Sequence, residues 1–443
     1  MLRLSFFGLG RVGTVYAAGF ASKGFPVIGF DIEKERLRTL ASGKSPFFEP
    51  YLEDLISRCM RKGTLKVASD PQEAVLNSDI TFMTVGTPSM EDGSIGLKHV
   101  MDSSKMIGEA LQRKGGWHLV VVKSTVVPRT TENVVKVAVE ETSGKTAFKD
   151  FGLAVNPEFL REGSAVEDFI KPDRVVIGTN DKRSLQMLEE VYSSFDCPKL
   201  ITNLSTAELI KYTNNAFLAM KVSFINMIAN LCQKAPGADV ESVAQAIGFD
   251  KRIGSSFLSA GAGWGGSCWA KDLNALRSFG KRMNVELPLV NATLDINERQ
   301  PYRMIELAEE LIGNLEGKRV AILGLAFKPN TDDIREAVSI KIVDALLDKG
   351  AIVVVYDPAA MKNFKRLFNN KIFYAKSALE CIKNTDCAMV VTEWEEFKNL
   401  QPETFLSHMK HTVIVDGRRI YDVATFSPKL KFAAIGLHTG ASS

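Results

Sequence analysis

The tightest constraint on the fold lies at the start of the chain. Residues 3–7 read as a short apolar strand, and Gly8-Leu9-Gly10-Arg11-Val12-Gly13 follows at once, opening into helical composition through Tyr16-Ala17-Ala18. Glycines at this spacing let the backbone turn tightly and bring a helix N-terminus against a pyrophosphate. Residues 26–30 form a second strand ending at Asp31. An acid about 20 residues beyond the turn bonds a ribose 2′-hydroxyl and repels a 2′-phosphate, which favours NAD over NADP.

Further strands are expected at residues 80–85 and 119–122, separated by segments of helical composition. Strand–helix alternation of this kind specifies a parallel, doubly wound sheet. The texture changes near Thr206. Residues 206–234 contain no glycine or proline and carry apolar residues at helical spacing, which predicts one long helix or two abutting ones. Helical character continues to about residue 315, interrupted by a glycine-rich loop at 261–266. The strand pattern then restarts at 318–324, 352–357, 388–391 and 412–416. The expected class is α/β: two Rossmann-like doubly wound parallel-sheet domains, 1–203 and 313–443, joined by a central helical domain, 204–312, with a long helix.

Among the 443 residues, basic and acidic side chains leave a net charge of only +3. That argues against a dedicated nucleic-acid binder. No run approaches the roughly 20 apolar residues of a membrane helix. The apolar N-terminal run breaks into glycines without a small-residue cleavage site, so a cytoplasmic chain with no membrane partner is expected. The six cysteines include no CxxC pair and do not read as a disulfide framework. No metal site is expected.

Four further motifs bear on chemistry. Gly263-Trp264-Gly265-Gly266-Ser267-Cys268-Trp269-Ala270-Lys271-Asp272 places a cysteine on a glycine-rich loop. Lys271 and a helix start near Asp272 favour thiolate there, and a thiolate can hold an aldehyde covalently. Alternatively Cys268 is a buried cysteine on a flexible loop. In Pro157-Glu158-Phe159-Leu160-Arg161-Glu162-Gly163 the two glutamates are four apart, so on a helix they share a face and could supply a base; they read equally as solvated acids. Lys211 and Asn215 share a face of the long helix, where a cation and an amide could stabilise an oxyanion, or the lysine could simply be solvated. The segment 324–336 holds Lys328 and Arg335 after a strand but has no GxGxxG turn, which fits an anionic ligand other than a second dinucleotide.

Taken in order, these motifs resemble the UDP-glucose/GDP-mannose dehydrogenase family over nearly the whole chain. The matching segments are GLGRVG at 8–13, VGTP at 85–88, KSTVVP at 123–128, NPEFLREG at 156–163, AELIKYTNNAFLAMKVSFINMIAN at 207–230, GWGGSCWAKD at 263–272, GLAFKPNTDDIREA at 324–337 and TEWEEF at 392–397. The resemblance implies an NAD domain, a central helical domain that joins two subunits into a homodimer, and a C-terminal nucleotide-sugar domain. It implies oxidation of a CH₂OH twice, through a thiohemiacetal and a thioester on Cys268. Lys211 and Asn215 then match the oxyanion stabilisers, Asp272 and Thr125 match residues that hold a catalytic water, and Glu158 matches the base for hydrolysis. Cofactor contacts fall on Gly8, Gly10, Arg11, Val12, Gly13, Asp31, Gly86, Thr87, Thr125, Glu162 and Arg335. Substrate contacts fall on Glu158, Phe159, Leu160, Lys211, Asn215, Arg252, Gly265, Cys268, Phe327 and Lys328.

Within the resemblance, a UDP-sugar, and UDP-glucose in particular, is the expected substrate. GDP-mannose and UDP-N-acetylhexosamines are the alternatives, with the same chemistry. A two-electron hydroxyacid dehydrogenase would need no cysteine, and a non-catalytic sensor would need none of Cys268, Lys211, Asn215 and Asp272. The five histidines lie outside all these motifs, so a histidine-based hydride mechanism has no candidate. The chain departs from the family at Trp269-Ala270, where Phe or Leu then Pro is usual, at Arg129, commonly Gly, and at Arg419, often Asn.

Overall fold

A computed structural model of the chain describes residues 1–438. Its contacts divide it into two compact units. The first comprises Met1–Asn214 with Asn274–Asn284, and the second comprises Asn215–Leu273 with Val285–Ser443.

The sheet of the first unit contains β1 (Leu4–Phe7), β2 (Val27–Phe30), β3 (Leu65–Ala68), β4 (Ile80–Met83), β5 (Leu119–Val122), β6 (Gly152–Val155), β7 (Val175–Thr179) and β8 (Lys199–Thr202). Its order is β3-β2-β1-β4-β5-β6-β7-β8. The first six strands are parallel and wind outward in both directions from β1, the dinucleotide-binding arrangement. β7 pairs antiparallel to β6, and β8 runs parallel to β7; neither strand is marked by the sequence pattern. All four residues of β1 are buried, so both of its faces are covered as a central parallel strand requires. Phe6 stacks on Phe20 and Phe82 on one face of the sheet, and Phe7 packs against Phe30 on the other.

The second unit holds β9 (Arg319–Leu323), β10 (Ile352–Tyr356), β11 (Phe373–Tyr374), β12 (Cys387–Val390), β13 (Val413–Asp416) and β14 (Lys431–Ala434). All are parallel, in the order β11-β10-β9-β12-β13-β14, which repeats the topology of the first six strands. The helices Val240–Gly248, Trp269–Arg282, Pro288–Arg299 and Tyr302–Ile312 make up the predicted helical stretch.

The change of texture near Thr206 resolves as one helix, Leu204–Cys232. It corrects the expectation that no segment reaches membrane-spanning length: its best 18-residue window has a mean hydropathy of 1.3, and 39% of that window is buried. Polar residues on it are buried and bonded within the protein. Asn226 Oδ1 accepts from Gly261 N at 2.8 Å, and Ser223 Oγ donates to the Thr293 carbonyl at 2.9 Å. That is the habit of a core helix.

Candidate active site

In the first unit the glycine turn behaves as its spacing requires. A Cβ on Gly13 would stand 1.9 Å from the Gly8 carbonyl oxygen, so nothing larger fits there. Around Gly10, by contrast, no protein atom lies within 4 Å of the Cβ position. Gly10 also caps the helix Arg11–Ser22, whose first turn carries no acid. The helix N-terminus therefore opens onto space of the kind a pyrophosphate occupies.

Asp31 is buried at the end of β2. It accepts from Leu9 N at 2.6 Å and Glu33 N at 2.9 Å and pairs with Arg36 at 2.7 Å. Arg11 reaches Glu162 at 3.7 Å, which brings two expected cofactor residues together. Thr87 donates to the Thr125 carbonyl at 2.9 Å, so the ends of the β4 and β5 strands are tied as well. At Gly86 a Cβ would again meet nothing within 4 Å. These residues fit NAD.

Glu158 and Glu162 do not share a helical face. They lie in the loop between β6 and the helix Ala165–Ile170. Pro157 and Gly163 break the pattern, and the Glu158 carboxylate folds back to accept from Leu160 N at 2.7 Å. Its other oxygen pairs with Lys211 at 3.0 Å, and both side chains are more than nine-tenths buried. A buried ion pair holds its partners in register because separating them leaves an uncompensated charge. Arg174, which lies outside every motif above, stacks over Phe159 at 3.8 Å and donates to Asn214 at 2.6 Å. Lys123 was missed too. Its signal was a lysine directly after the apolar run 119–122, where it is 1% exposed.

In the second unit Cys268 alone of the six cysteines is exposed. Burial raises the other five thiols, Cys387 to about 12, and so keeps them protonated. Cys268 opens the helix Trp269–Arg282, its carbonyl accepting from Asp272 N at 2.8 Å. Asp272 is 1% exposed and takes Asn215 Nδ2 at 2.7 Å and Lys271 Nζ at 2.5 Å. The loop before the cysteine is clamped. Gly266 N donates to the Arg335 carbonyl at 3.0 Å, and a Cβ on Gly265 would stand 2.4 Å from the Glu336 carbonyl oxygen. Phe327 packs its ring on Gly266, and Lys328 Nζ lies 5.5 Å from that ring. The expected substrate residues Gly265, Cys268, Phe327 and Lys328 are thus one neighbourhood.

Two expected residues have their guanidinium groups engaged by neighbouring acids. Arg252 forks onto Asp250 at 2.6 Å, with its side chain 89% exposed. Arg335, expected at the cofactor, belongs to the second unit and forks onto Asp333.

The departures from the family pattern have structural explanations. Trp269 packs edge-on to Trp264 at 5.6 Å and against Phe257 at 5.9 Å, an aromatic clasp on a loop that lacks its proline. Arg129 and Arg419 have φ of 71° and 54°, left-handed conformations that glycine and asparagine adopt at less cost. The Arg129 N–H is held by Glu208 at 2.6 Å, and the Arg419 guanidinium by Asp239 and Glu241.

All three domains of one family are matched along the chain. Residues 2–196 match the NAD binding domain of the UDP-glucose/GDP-mannose dehydrogenase family, residues 205–299 its central domain and residues 321–423 its UDP binding domain. UDP-glucose 6-dehydrogenase AglM of Haloferax volcanii is 45% identical over 424 residues, covering 95% of this chain and 97% of that protein. A UDP-glucose 6-dehydrogenase of Rhizobium meliloti is 40% identical, covering 98% and 99%. The solved UDP-glucose dehydrogenase of Pyrobaculum islandicum superposes with a TM-score of 0.93 at 40% identity, covering 99% of this chain and 98% of that one. A UDP-D-ManNAc dehydrogenase of Pyrococcus horikoshii superposes at 0.86 with 26% identity, covering 98% and 99%. With an open glycine turn for NAD, an exposed cysteine beside a buried acid, and all three domains matched in order, the chain belongs to the UDP-glucose/GDP-mannose dehydrogenase family.

Proposed function

We propose that the chain oxidises C6 of UDP-glucose to the carboxylate, consuming two NAD⁺ and one water and passing through a thioester on Cys268. The observation that carries this reading is the single exposed cysteine at a helix start, one turn from a buried aspartate held by Asn215 and Lys271. NAD, when bound at Gly8, Gly10, Arg11, Val12, Gly13, Asp31, Gly86 and Thr87, supplies the hydride acceptor for each oxidation.

The protein's residues supply the rest. The substrate alcohol loses its hydroxyl proton to water and a hydride from C6 to become an aldehyde. The Cys268 thiolate adds to that carbonyl carbon, and Lys211 and Asn215 stabilise the oxyanion formed. Loss of a second hydride leaves the acyl group on sulfur. Water, oriented by Thr125 and Asp272 and deprotonated by Glu158, adds to the acyl carbon. The C–S bond breaks, releasing the carboxylate and regenerating the thiolate. Phe159, Leu160, Arg252, Gly265, Phe327 and Lys328 hold the UDP-sugar. Glu162 and Arg335 contribute to the cofactor side. The division 1–203, 204–312 and 313–443 assigns these tasks to NAD binding, helical assembly and nucleotide-sugar binding in turn.

A homodimer through the long helix is part of the proposal. Phe217, Phe224, Met227 and Leu231 are exposed at spacings of seven, three and four, a continuous apolar stripe.

The test is NADH formed per UDP-glucose at excess NAD⁺, for wild type and Cys268→Ser. About two NADH per sugar, with turnover falling by orders of magnitude in the variant, is expected. One NADH per sugar, unchanged by the substitution, refutes the covalent route. NADH from GDP-mannose and none from UDP-glucose reassigns the substrate.

A further inference from the structure

β5 and β6 are paired in parallel, with Val122 opposite Val155. Each strand sends a residue of the water step off its carboxyl end three positions later: Thr125 from β5 and Glu158 from β6. Between the sheet and those residues stand Lys123 and Asn156, one position past the paired valines.

They are bonded to each other. Lys123 Nζ donates to Asn156 Oδ1 at 2.7 Å and to the Asn156 carbonyl at 3.2 Å. The Tyr192 hydroxyl donates to the same Oδ1 at 2.5 Å, and Lys123 Nζ lies 3.5 Å from that hydroxyl. Asn156 Nδ2 donates to the Val176 carbonyl at 2.7 Å, which fixes the direction of the amide. The Lys123 ammonium also sits 3.7 Å from the centroid of the Tyr16 ring. Asn156, Lys123 and Tyr192 are all 2% exposed or less.

A lysine in such a place is costly. Burial pulls its pKa down to about 7, against the upward pull of Glu158 and with the push of Lys211. The other ionisable groups facing it are the phenols of Tyr16 and Tyr192, whose pKa values burial raises. A leucine or methionine would fill the volume without that penalty. Packing alone therefore does not account for the residue, whereas two of its three polar contacts are to Asn156 at the exit of β6 and the third is to the Tyr192 hydroxyl bonded to the same amide.

We propose that Lys123, Asn156 and Tyr192 form a latch that sets the spacing of Thr125 and Glu158, making them positioning residues for hydrolysis of the thioester. The inference rests on the thioester route proposed above. Only the last step needs Glu158 as base and Thr125 to hold the attacking water, so loosening the latch slows hydrolysis more than the steps before it.

The experiment mixes full-length enzyme with UDP-glucose and NAD⁺, follows NADH through the first turnover, quenches in acid and measures the intact mass of the chain. Lys123→Met, Tyr192→Phe and, as a control, Glu158→Gln are compared with wild type. In the two latch variants a rapid burst of about two NADH per chain is expected, then a steady rate slowed roughly 10- to 100-fold, because misplacement of about 1 Å has that effect. The sugar acyl adduct accumulates on Cys268. Tyr192→Phe removes one hydroxyl and carries the test alone if Lys123→Met does not fold. The latch is refuted if both variants are as fast as wild type, or if burst and steady rates fall together with no adduct. If Glu158→Gln accumulates no adduct, the thioester route itself fails and the latch with it. An adduct in Glu158→Gln that is absent from slowed latch variants refutes the latch alone.

Discussion

Gly10 and Gly13 belong to one turn but have opposite jobs, and alanine at each separates them. At Gly13 the added Cβ would meet the Gly8 carbonyl oxygen at 1.9 Å and Thr84 Oγ1 at 2.6 Å. The first of these is backbone just past the end of β1 and cannot swing away, so the helix must move off the sheet. Overpacking of this kind costs about 1–3 kcal/mol, and in a unit of this size about 2–4 °C of Tm per kcal/mol. Gly13→Ala is therefore expected to lower Tm by roughly 2–12 °C and to weaken NAD binding as well. At Gly10 the Cβ meets no protein atom within 4 Å, and φ of −68° with ψ of −166° suits alanine. Stability should change by less than about 1 kcal/mol, with the sign leaning towards a gain from the stiffer unfolded chain. NAD binding should weaken at least tenfold, about 1.4 kcal/mol, because the methyl stands where the pyrophosphate approaches. Differential scanning fluorimetry and calorimetric titration with NAD measure the two effects. If Gly10→Ala binds NAD normally, or unfolds as early as Gly13→Ala, the division of labour is wrong.

Two further outcomes follow from the same unit and the long helix. Burial raises the Glu208 carboxyl from 4.5 to about 7 while it holds the N–H groups of Arg129 and Thr131; its pKa is raised on folding, so its contribution is full below about 4.5 and lost as pH rises through about 7, and Glu208→Gln should flatten the fall in Tm between pH 5 and pH 8. Phe224→Glu places a charge in the exposed apolar stripe and should halve the mass seen by light scattering at micromolar concentration; an unchanged mass rules out the long-helix dimer.

Much of this architecture was legible because its signals are local. The glycine turn, the apolar strands beginning near residues 4, 27, 80, 119 and 319, and the helix free of glycine and proline each announce themselves within a dozen residues. The missed strands fail for physical reasons: β6 and β7 are buried runs of four and five residues, too short for periodicity to tell strand from helix. β3 and β8 lie at the sheet edge, where one face needs no apolar residue, and β8 is mostly exposed. β11 has only two residues. In the site, Cys268 and Asp272 were readable from the helix start. The pairing of Glu158 with Lys211 was not, since it joins residues 53 apart whose encounter depends on the packed fold. The shared helical face assigned to Glu158 and Glu162 was wrong because spacing alone does not reveal the loop that Pro157 and Gly163 impose. Nothing local marks Lys123 as buried; the packing of Tyr16 and Tyr192 over it makes it a buried cation.

The two sheets share one topology, yet only the first has an open dinucleotide site, and the difference can be traced to a few atoms. Gly8-Leu9-Gly10 in the first unit corresponds to Gly324-Leu325-Ala326 in the second, and Asp31 at the end of β2 corresponds to Asp357 after β10. Asp31 accepts from Leu9 N, Glu33 N and Arg36. Asp357 is 1% exposed and accepts from Leu325 N, Ala326 N, Ala359 N and Ala360 N, with Trp394 Nε1 at 3.0 Å closing the remaining side. A carboxylate with five donors has no lone pair left for a ribose, and Ala326 puts a methyl where Gly10 leaves space. Trp394→Phe tests whether the indole is a structural cap or a plug. Losing a buried hydrogen bond to a charged group costs about 1.5–3 kcal/mol, so the second unit should melt earlier. NAD should still bind once per chain, because the backbone donors and Ala326 remain. A second NAD equivalent appearing in calorimetric titration of Trp394→Phe would mean that the tryptophan alone keeps the second sheet from acting like the first.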